Sequence, residues 1–299
     1  MASACFAQRV KTGIEVLKDN GFKLLEGKRV GLVTNPTGVD SHLVSDIDIL
    51  HNAPNVQLVA LYGPEHGVRG SAHAGDAVAG NTDERTHLPV YSLFGKTRVP
   101  TDSMLQGIDV LVYDIQDVGC RSFTYISTLY NIMKAAVKHH IKVVVLDRPN
   151  PLGGEKMEGN LVEDDCVSFV SQFRVPYVYG LTPGEVALLL NGEGMLGGRC
   201  DLTVVKMKGW KRRMTYADTG LPWVLSSPHI PEASTAPFYS ITGIIGELTS
   251  ISIGVGYTLP FKLIGAEWVK AQDFADAMNA LHLPGYTFRP IFYTPYYGP

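Results

Sequence analysis

Four short apolar runs constrain this chain more than any other feature. They are Arg29–Val33, Val56–Leu61, Asp109–Tyr113 and Lys142–Leu146, and each ends in a cluster of glycine, proline and polar residues. Runs that are apolar on both faces suit strands of a parallel sheet covered on both sides. Helical patterns lie between them: Leu43, Ile47, Ile49 and Leu50 within 41–52, and Tyr125, Leu129, Ile132, Met133 and Ala136 within 122–140. A further apolar pattern over 9–26 (Val10, Ile14, Leu17, Phe22, Leu24, Leu25) precedes the first run. Strand alternating with helix predicts an α/β fold with a doubly wound, mostly parallel sheet.

The chain has 299 residues, 45% of them hydrophobic, which is enough for one large α/β domain or two smaller ones. A formal net charge of −3 gives no electrostatic footprint for nucleic acid, so no nucleic-acid partner is expected. No apolar stretch approaches the ~20 residues of a membrane-spanning helix. Residues 1–8 have the small residues of a leader cleavage region but no apolar core. An ordinary cytosolic start and a leader remnant both fit. Cys5, Cys120, Cys166 and Cys200 form no CxxC pair, which removes the usual zinc-ribbon and redox patterns.

In a doubly wound sheet the ligand crevice lies beyond the carboxyl ends of the strands. The segments that follow the four runs are Thr34–Gly38, Gly63–Gly67, Asp114–Gly119 and Asp147–Pro151. All are rich in hydrogen-bonding groups, and together they suggest a polar, oxygen-rich ligand. Turn and cap chemistry is the simpler reading of Asn35 and Asp147. Glu65, held between Pro64 and His66, is better placed to be part-buried as a general acid. Asp114 and Asp117 close the third run, and Glu155 and Glu158 follow the fourth. Glycoside hydrolysis usually uses two such carboxyls. Arg69, Arg121, Arg148 and Tyr125 are candidates to bind substrate oxygens.

Past residue 165 the pattern loosens. Thr182, Pro183 and Glu185 form a capping-box start to a helix through Leu190. Asp201–Met207 reads as a strand, Ser226–Pro231 as a rigid loop, and 267–282 as a helix. Gly192, Gly194 and Gly197 match GxGxxG, but they follow a helix, so they read as its C-terminal caps. With no glycine-rich turn after the first run, a dinucleotide cofactor is not expected, nor is any other. His66, His73 and Asp76 make a weak metal pattern. No HExxH or GxSxG occurs.

Four segments occur in order: Leu32–Gly38, Tyr62–Gly70, Asp114–Arg121 with Tyr125, and Leu146–Gly154. Thr182–Glu185, Gly209-Trp210 and Ser227–His229 follow them. Together they strongly resemble the exo-β-N-acetylmuramidase family of peptidoglycan hexosaminidases over nearly the whole chain. The resemblance implies a Rossmann-like catalytic domain over 1–235. It implies a smaller α/β domain over 236–299, incomplete at its C-terminus, with the site in a cleft between the two. It implies removal of N-acetylmuramic acid from the non-reducing ends of cell-wall fragments. The catalytic role passes to Glu65, with Glu158 or Asp117 as second carboxylate. By position, Asn35, His66, Arg69, Gln116, Arg121, Tyr125, Arg148, Asn150 and Glu185 become candidate substrate contacts.

One stretch departs from the family pattern. Many members carry Ser-Glu-Gly-Arg-Gly before a Pro-Phe pair, and this chain has Ser252, Ile253, Gly254, Val255 and Gly256 before Pro260 and Phe261. Glu247, a few residues upstream, is a candidate to compensate. The aromatic end over 288–299 reads as that of a fragment.

The expected partner is a peptidoglycan-derived saccharide or muropeptide, and the expected location is periplasmic or secreted, with Cys5 a candidate lipid-attachment site. Attack by the substrate's own acetamido group stays open as a mechanism. So do two other functions: a muropeptide-binding protein without catalysis, and a metal-assisted hydrolase using His66, His73 and Asp76.

Overall fold

Seven strands form one sheet in the computed structural model, which describes residues 9–70 and 81–295. In chain order they are β1 (Arg29–Thr34), β2 (Gln57–Gly63), β3 (Asn81–Thr82), β4 (Pro89–Ser92), β5 (Val110–Asp114), β6 (Lys142–Leu146) and β7 (Leu202–Val205). Their order across the sheet is β3-β4-β2-β1-β5-β6-β7. Every neighbouring pair is parallel except β3 with β4. The six parallel strands therefore follow the Rossmann order 3-2-1-4-5-6, and the loops after β1 and β5 diverge at its switch point.

Both faces of the sheet are covered, as the apolar runs predict. Val30, Leu32, Val110, Val112, Val144 and Leu146 pack with Ile14, Leu17, Ile47 and Leu50 in one core. Val33, Leu111, Tyr113, Val143 and Val145 alternate with them and are also buried.

The helices are α1 (Gly13–Asp19), α2 (Asp46–His51), α3 (Tyr125–His139), α4 (Pro183–Gly192), α5 (Thr235–Gly246) and α6 (Ala271–Asn279). α1 is shorter than its apolar pattern: Gly21 takes φ +63° and Lys23–Leu25 tightens into a 3₁₀ turn. α2 starts five residues into its pattern because the Asp40 carboxylate holds the His42 and Val44 amides in a turn, at 2.9 and 3.0 Å. Ser45 then caps the helix through Ile47 N. α4 has the predicted capping box, with Thr182 accepting from Glu185 N at 3.2 Å and Glu185 accepting from Thr182 N at 3.0 Å. Gly194 and Gly197, both at positive φ, follow its last turn, so the GxGxxG match is a helix end.

α1 docks unusually close to β6. Gly13 N donates to Asp147 O at 2.8 Å, and a Cβ on Gly13 would lie 2.4 Å from Asp147 N. Only glycine allows that approach.

The chain divides into two compact units, Met1–Ala233 and Ser234–Pro299. The sheet and α1–α4 belong to the first. The second carries α5, α6 and an antiparallel bridge between Ser252 and Gly265. Among the described residues no helix is long and apolar enough to cross a membrane, and Cys120, Cys166 and Cys200 are free thiols. Cys5 lies outside the described residues.

Candidate active site

The switch point is fastened by its own polar side chains. Thr34 Oγ1 lies 2.5 Å from Asp46 Oδ2. Asn35 Oδ1 accepts from Thr37 N and Thr37 Oγ1, at 3.0 and 2.5 Å, and Gln116 N donates to that same hydroxyl at 2.8 Å. The loops after β1 and β5 are thereby tied together. Gln116 Nε2 extends the tie to Asp117 O (2.8 Å) and Pro149 O (2.7 Å).

A buried ion pair lies beneath these loops. The Arg148 guanidinium forks onto both oxygens of Asp114, with Nη2 3.0 Å from Oδ2, and Nη2 also donates to Val39 O at 2.9 Å. Burial raises the Asp114 carboxyl, and Arg148 opposes the rise. Asp46 is raised well above the usual range, by burial first and then by the charge of Asp114.

Glu65 follows β2 in a tight turn closed by Gly67 N donating to Pro64 O at 2.9 Å. His66 is buried and takes φ +72°, a left-handed conformation uncommon for a residue with a side chain. Glu65 itself is half-buried. Thr124, the residue before α3, donates from Oγ1 to Glu65 Oε2 at 2.7 Å. Tyr125 follows, its phenol donating to Ser226 O. That phenol is raised by burial and then by the charges of Glu65 and Asp117, and the Asn35 amide opposes the rise.

Asp117 is only 2% exposed. Its Oδ1 accepts from Gly119 N at 2.8 Å and from the Tyr179 hydroxyl, while Oδ2 is buried with no hydrogen-bond partner among the described residues. Burial raises this carboxyl to about 7, against the bonds from Tyr179 and Gly119. Glu158 is exposed. Its main chain pairs with Val178 in both directions, at 3.0 and 2.9 Å. Val178 also bridges Cys120, so the segment carrying Glu158 lies one bridge away from the turn that carries Asp117.

Several other candidates spend their polar groups on the protein itself. Arg69 forks onto Asp83 at 2.9 and 3.0 Å. Burial would raise that carboxyl, but Arg69 and Thr86 hold it down at about 2. Arg121 donates to Asn160 O and Val175 O, both at 2.6 Å, and to Ser171 Oγ at 3.0 Å. Asn150 joins Leu181 O to Leu152 N. Glu185 caps α4 and meets Arg212 at 2.7 Å. These groups, with Gln116 and Arg148, shape the loops. Glu247 is exposed at the C-cap of α5, in the second unit. His73 and Asp76 lie outside the described residues.

Three contributors were not foreseen. Thr124 orients Glu65, Tyr179 binds Asp117, and Arg212 ties Gly154 O and Gly180 O to Glu185. Thr124 sits where a helix was expected to start, a position that favours hydroxyl side chains. The partner of Tyr179 is 62 residues away in sequence and those of Arg212 are 27, 32 and 58 away, so no local pattern announces them.

Comparison with known proteins gives concordant matches. Residues 30–234 match the N-terminal domain of exo-beta-N-acetylmuramidase NamZ, and residues 237–299 match its C-terminal domain. The peptidoglycan beta-N-acetylmuramidase NamZ of Bacillus subtilis (strain 168) is 50% identical over 287 residues, 96% of this chain and 69% of that protein. Two crystal structures of DUF1343 family proteins from Bacteroides fragilis NCTC 9343 share the fold. One is 64% identical with a TM-score of 0.92, covering 97% of this chain and 74% of the other. The second is 34% identical with a TM-score of 0.74, covering 86% and 67%.

Proposed function

Because the chain belongs to the exo-beta-N-acetylmuramidase NamZ family, we propose that it is a glycoside hydrolase that releases terminal β-1,4-linked N-acetylmuramic acid from the non-reducing ends of peptidoglycan fragments. The observation that carries the chemistry is Glu65: a half-buried carboxyl at the carboxyl edge of the sheet, oriented by Thr124 at 2.7 Å. Glu65 acts as general acid. With Oε2 accepting from Thr124, the transferable proton belongs on Oε1, from which it passes to the glycosidic oxygen as the C–O bond breaks.

In a two-carboxylate mechanism the second carboxylate meets the developing oxocarbenium charge or activates water. Glu158 fits that role better than Asp117, because it is exposed on a segment bridged to the same loops. Asp117, sealed and held by Tyr179 and Gly119, acts as a positioning residue for the 114–121 turn. Peptidoglycan lies outside the cytoplasm, so the protein works in the periplasm or after secretion. Cell fractionation tests that placement, and recovery only from the cytosol would contradict it.

Product analysis tests the activity. Incubation with the disaccharide N-acetylmuramyl-β-1,4-N-acetylglucosamine should release both monosaccharides, read by mass spectrometry. Intact disaccharide at high protein concentration, with retained binding, would instead mark a muropeptide-binding protein.

A further inference from the structure

β4 runs parallel to β2 with Ser92 in register with Gly63, and Leu93 N donates to Gly63 O at 2.8 Å. Phe94 therefore stands as far beyond the end of β4 as Glu65 stands beyond the end of β2. Ser92 fixes this turn, its hydroxyl bonding both Phe94 O and Phe94 N, at 3.1 and 3.2 Å. The Phe94 ring meets the Phe169 ring at 6.1 Å between centroids, tilted by 55°. The Arg98 guanidinium lies over Phe169, 4.3 Å from its centroid. Both rings are half-buried and Arg98 is exposed. Among the described residues Arg98 makes no ion pair.

Both sides of this shelf are anchored on α3, the helix whose preceding residue orients Glu65. Asn131 Nδ2 donates to Arg98 O at 3.0 Å, and Gln172, three residues from Phe169, donates to Ser127 O at 3.3 Å. Ser127 and Asn131 lie three and seven residues along the chain from Thr124, roughly 5 and 10 Å of helical rise. The shelf is thus held by the first two turns of the helix that Thr124 precedes.

We propose that Phe94, Phe169 and Arg98 form a leaving-group-side subsite that binds the saccharide beyond the first sugar after the scissile bond, with Arg98 reading the carboxylate of the next muramyl unit. The inference rests on the muramidase reading above. A phenyl face accepts the apolar C–H face of a pyranose ring, and a guanidinium held on a ring is pre-set for a carboxylate. A glycan in which every second sugar carries a carboxylate supplies both groups at a fixed spacing.

The test compares wild type with Arg98→Ala and Phe169→Ala on two substrates. One is the disaccharide, and the other is the tetrasaccharide of two such disaccharide units. The ratio of kcat/KM on the tetrasaccharide to that on the disaccharide should fall about tenfold in each variant, through KM. Methyl-esterifying the inner muramyl carboxylate should lower the wild-type ratio similarly and leave that of Arg98→Ala unmoved. Ratios equal to wild type in both variants would overturn the proposal, as would an equal loss on both substrates. If wild type releases no muramic acid from either substrate, the muramidase reading fails by itself. The subsite is then read by calorimetric titration with the tetrasaccharide, where equal affinity of wild type and Arg98→Ala would overturn it.

Discussion

Arg148 and Asp114 are 4% and 0% exposed, and Asp46 beside them is fully buried. Removing one member of a buried ion pair strands the other's charge, at a cost of about 3–5 kcal/mol. Arg148→Met should therefore lower unfolding free energy by that amount in urea titration, and a loss near zero would show that the pair is dispensable. Asp117 gives a pH prediction of definite sign. Its carboxyl is raised from 3.8 to about 7 in the folded protein, so between those values the folded state holds a proton that the unfolded state has lost. Its contribution to stability is complete below pH 4 and is lost as pH rises toward 7, by a total on the order of 4 kcal/mol. Asp117→Asn keeps an acceptor oxygen but cannot ionise. The variant should gain stability relative to wild type between pH 4 and pH 8, and an unchanged difference would contradict the burial argument. At this scale the sequence exposed the candidates but not their commitments. Glu65 and Asp117 are legible because they close apolar runs. Arg69, Arg121 and Arg148 look equally available in sequence, and only the fold shows that their guanidinium groups are engaged with Asp83, main-chain carbonyls and Asp114.

Elements whose ends are set by local chemistry were the readable ones. α4 starts at Thr182 because its hydroxyl accepts from Glu185 N, and that hydroxyl also donates to Asp147 at 3.0 Å. Thr182→Ala should cost about 1–2 kcal/mol in thermal or urea unfolding, and no change would mean that the cap is redundant. Gly13 is a stricter case. Gly13→Ala puts a methyl 2.4 Å from the main chain of Asp147, so α1 must move off β6. A loss above ~2 kcal/mol is expected, larger than helix propensity could offset. Elements held by distant partners were missed. β4 is four residues beginning with proline, and its pairing with β2 defines it as a strand. α5 contains Pro237, Gly243 and several β-branched residues, which mask a helix in any local reading.

The arrangement of the first unit, Met1–Ala233, follows from the strand order. A sheet with the Rossmann order places its switch point between β1 and β5, and the Gly- and Pro-rich strand ends gather there. The four apolar runs predict a doubly wound parallel sheet with polar strand ends, whereas the strand order and the position of the switch point come from the fold. The loops over that edge, including 155–178, carry no periodic signal, because hydrogen bonds between distant segments hold them. All seven strands and every nominated site residue except Glu247 lie in Met1–Ala233. A chain ending at Ala233 should therefore keep its sheet and unfold cooperatively in urea, and a featureless transition would contradict this. The central claim is that Glu65 protonates the leaving oxygen. It is tested by the kcat/KM of Glu65→Gln on two substrates: the disaccharide, whose sugar leaving group needs a proton, and an aryl muramide with an activated phenol, which needs little help. A loss of about 10²–10⁴-fold on the disaccharide, with a much smaller loss on the aryl muramide, is the predicted result. Near-wild-type turnover of the disaccharide, or equal losses on both, would contradict the account.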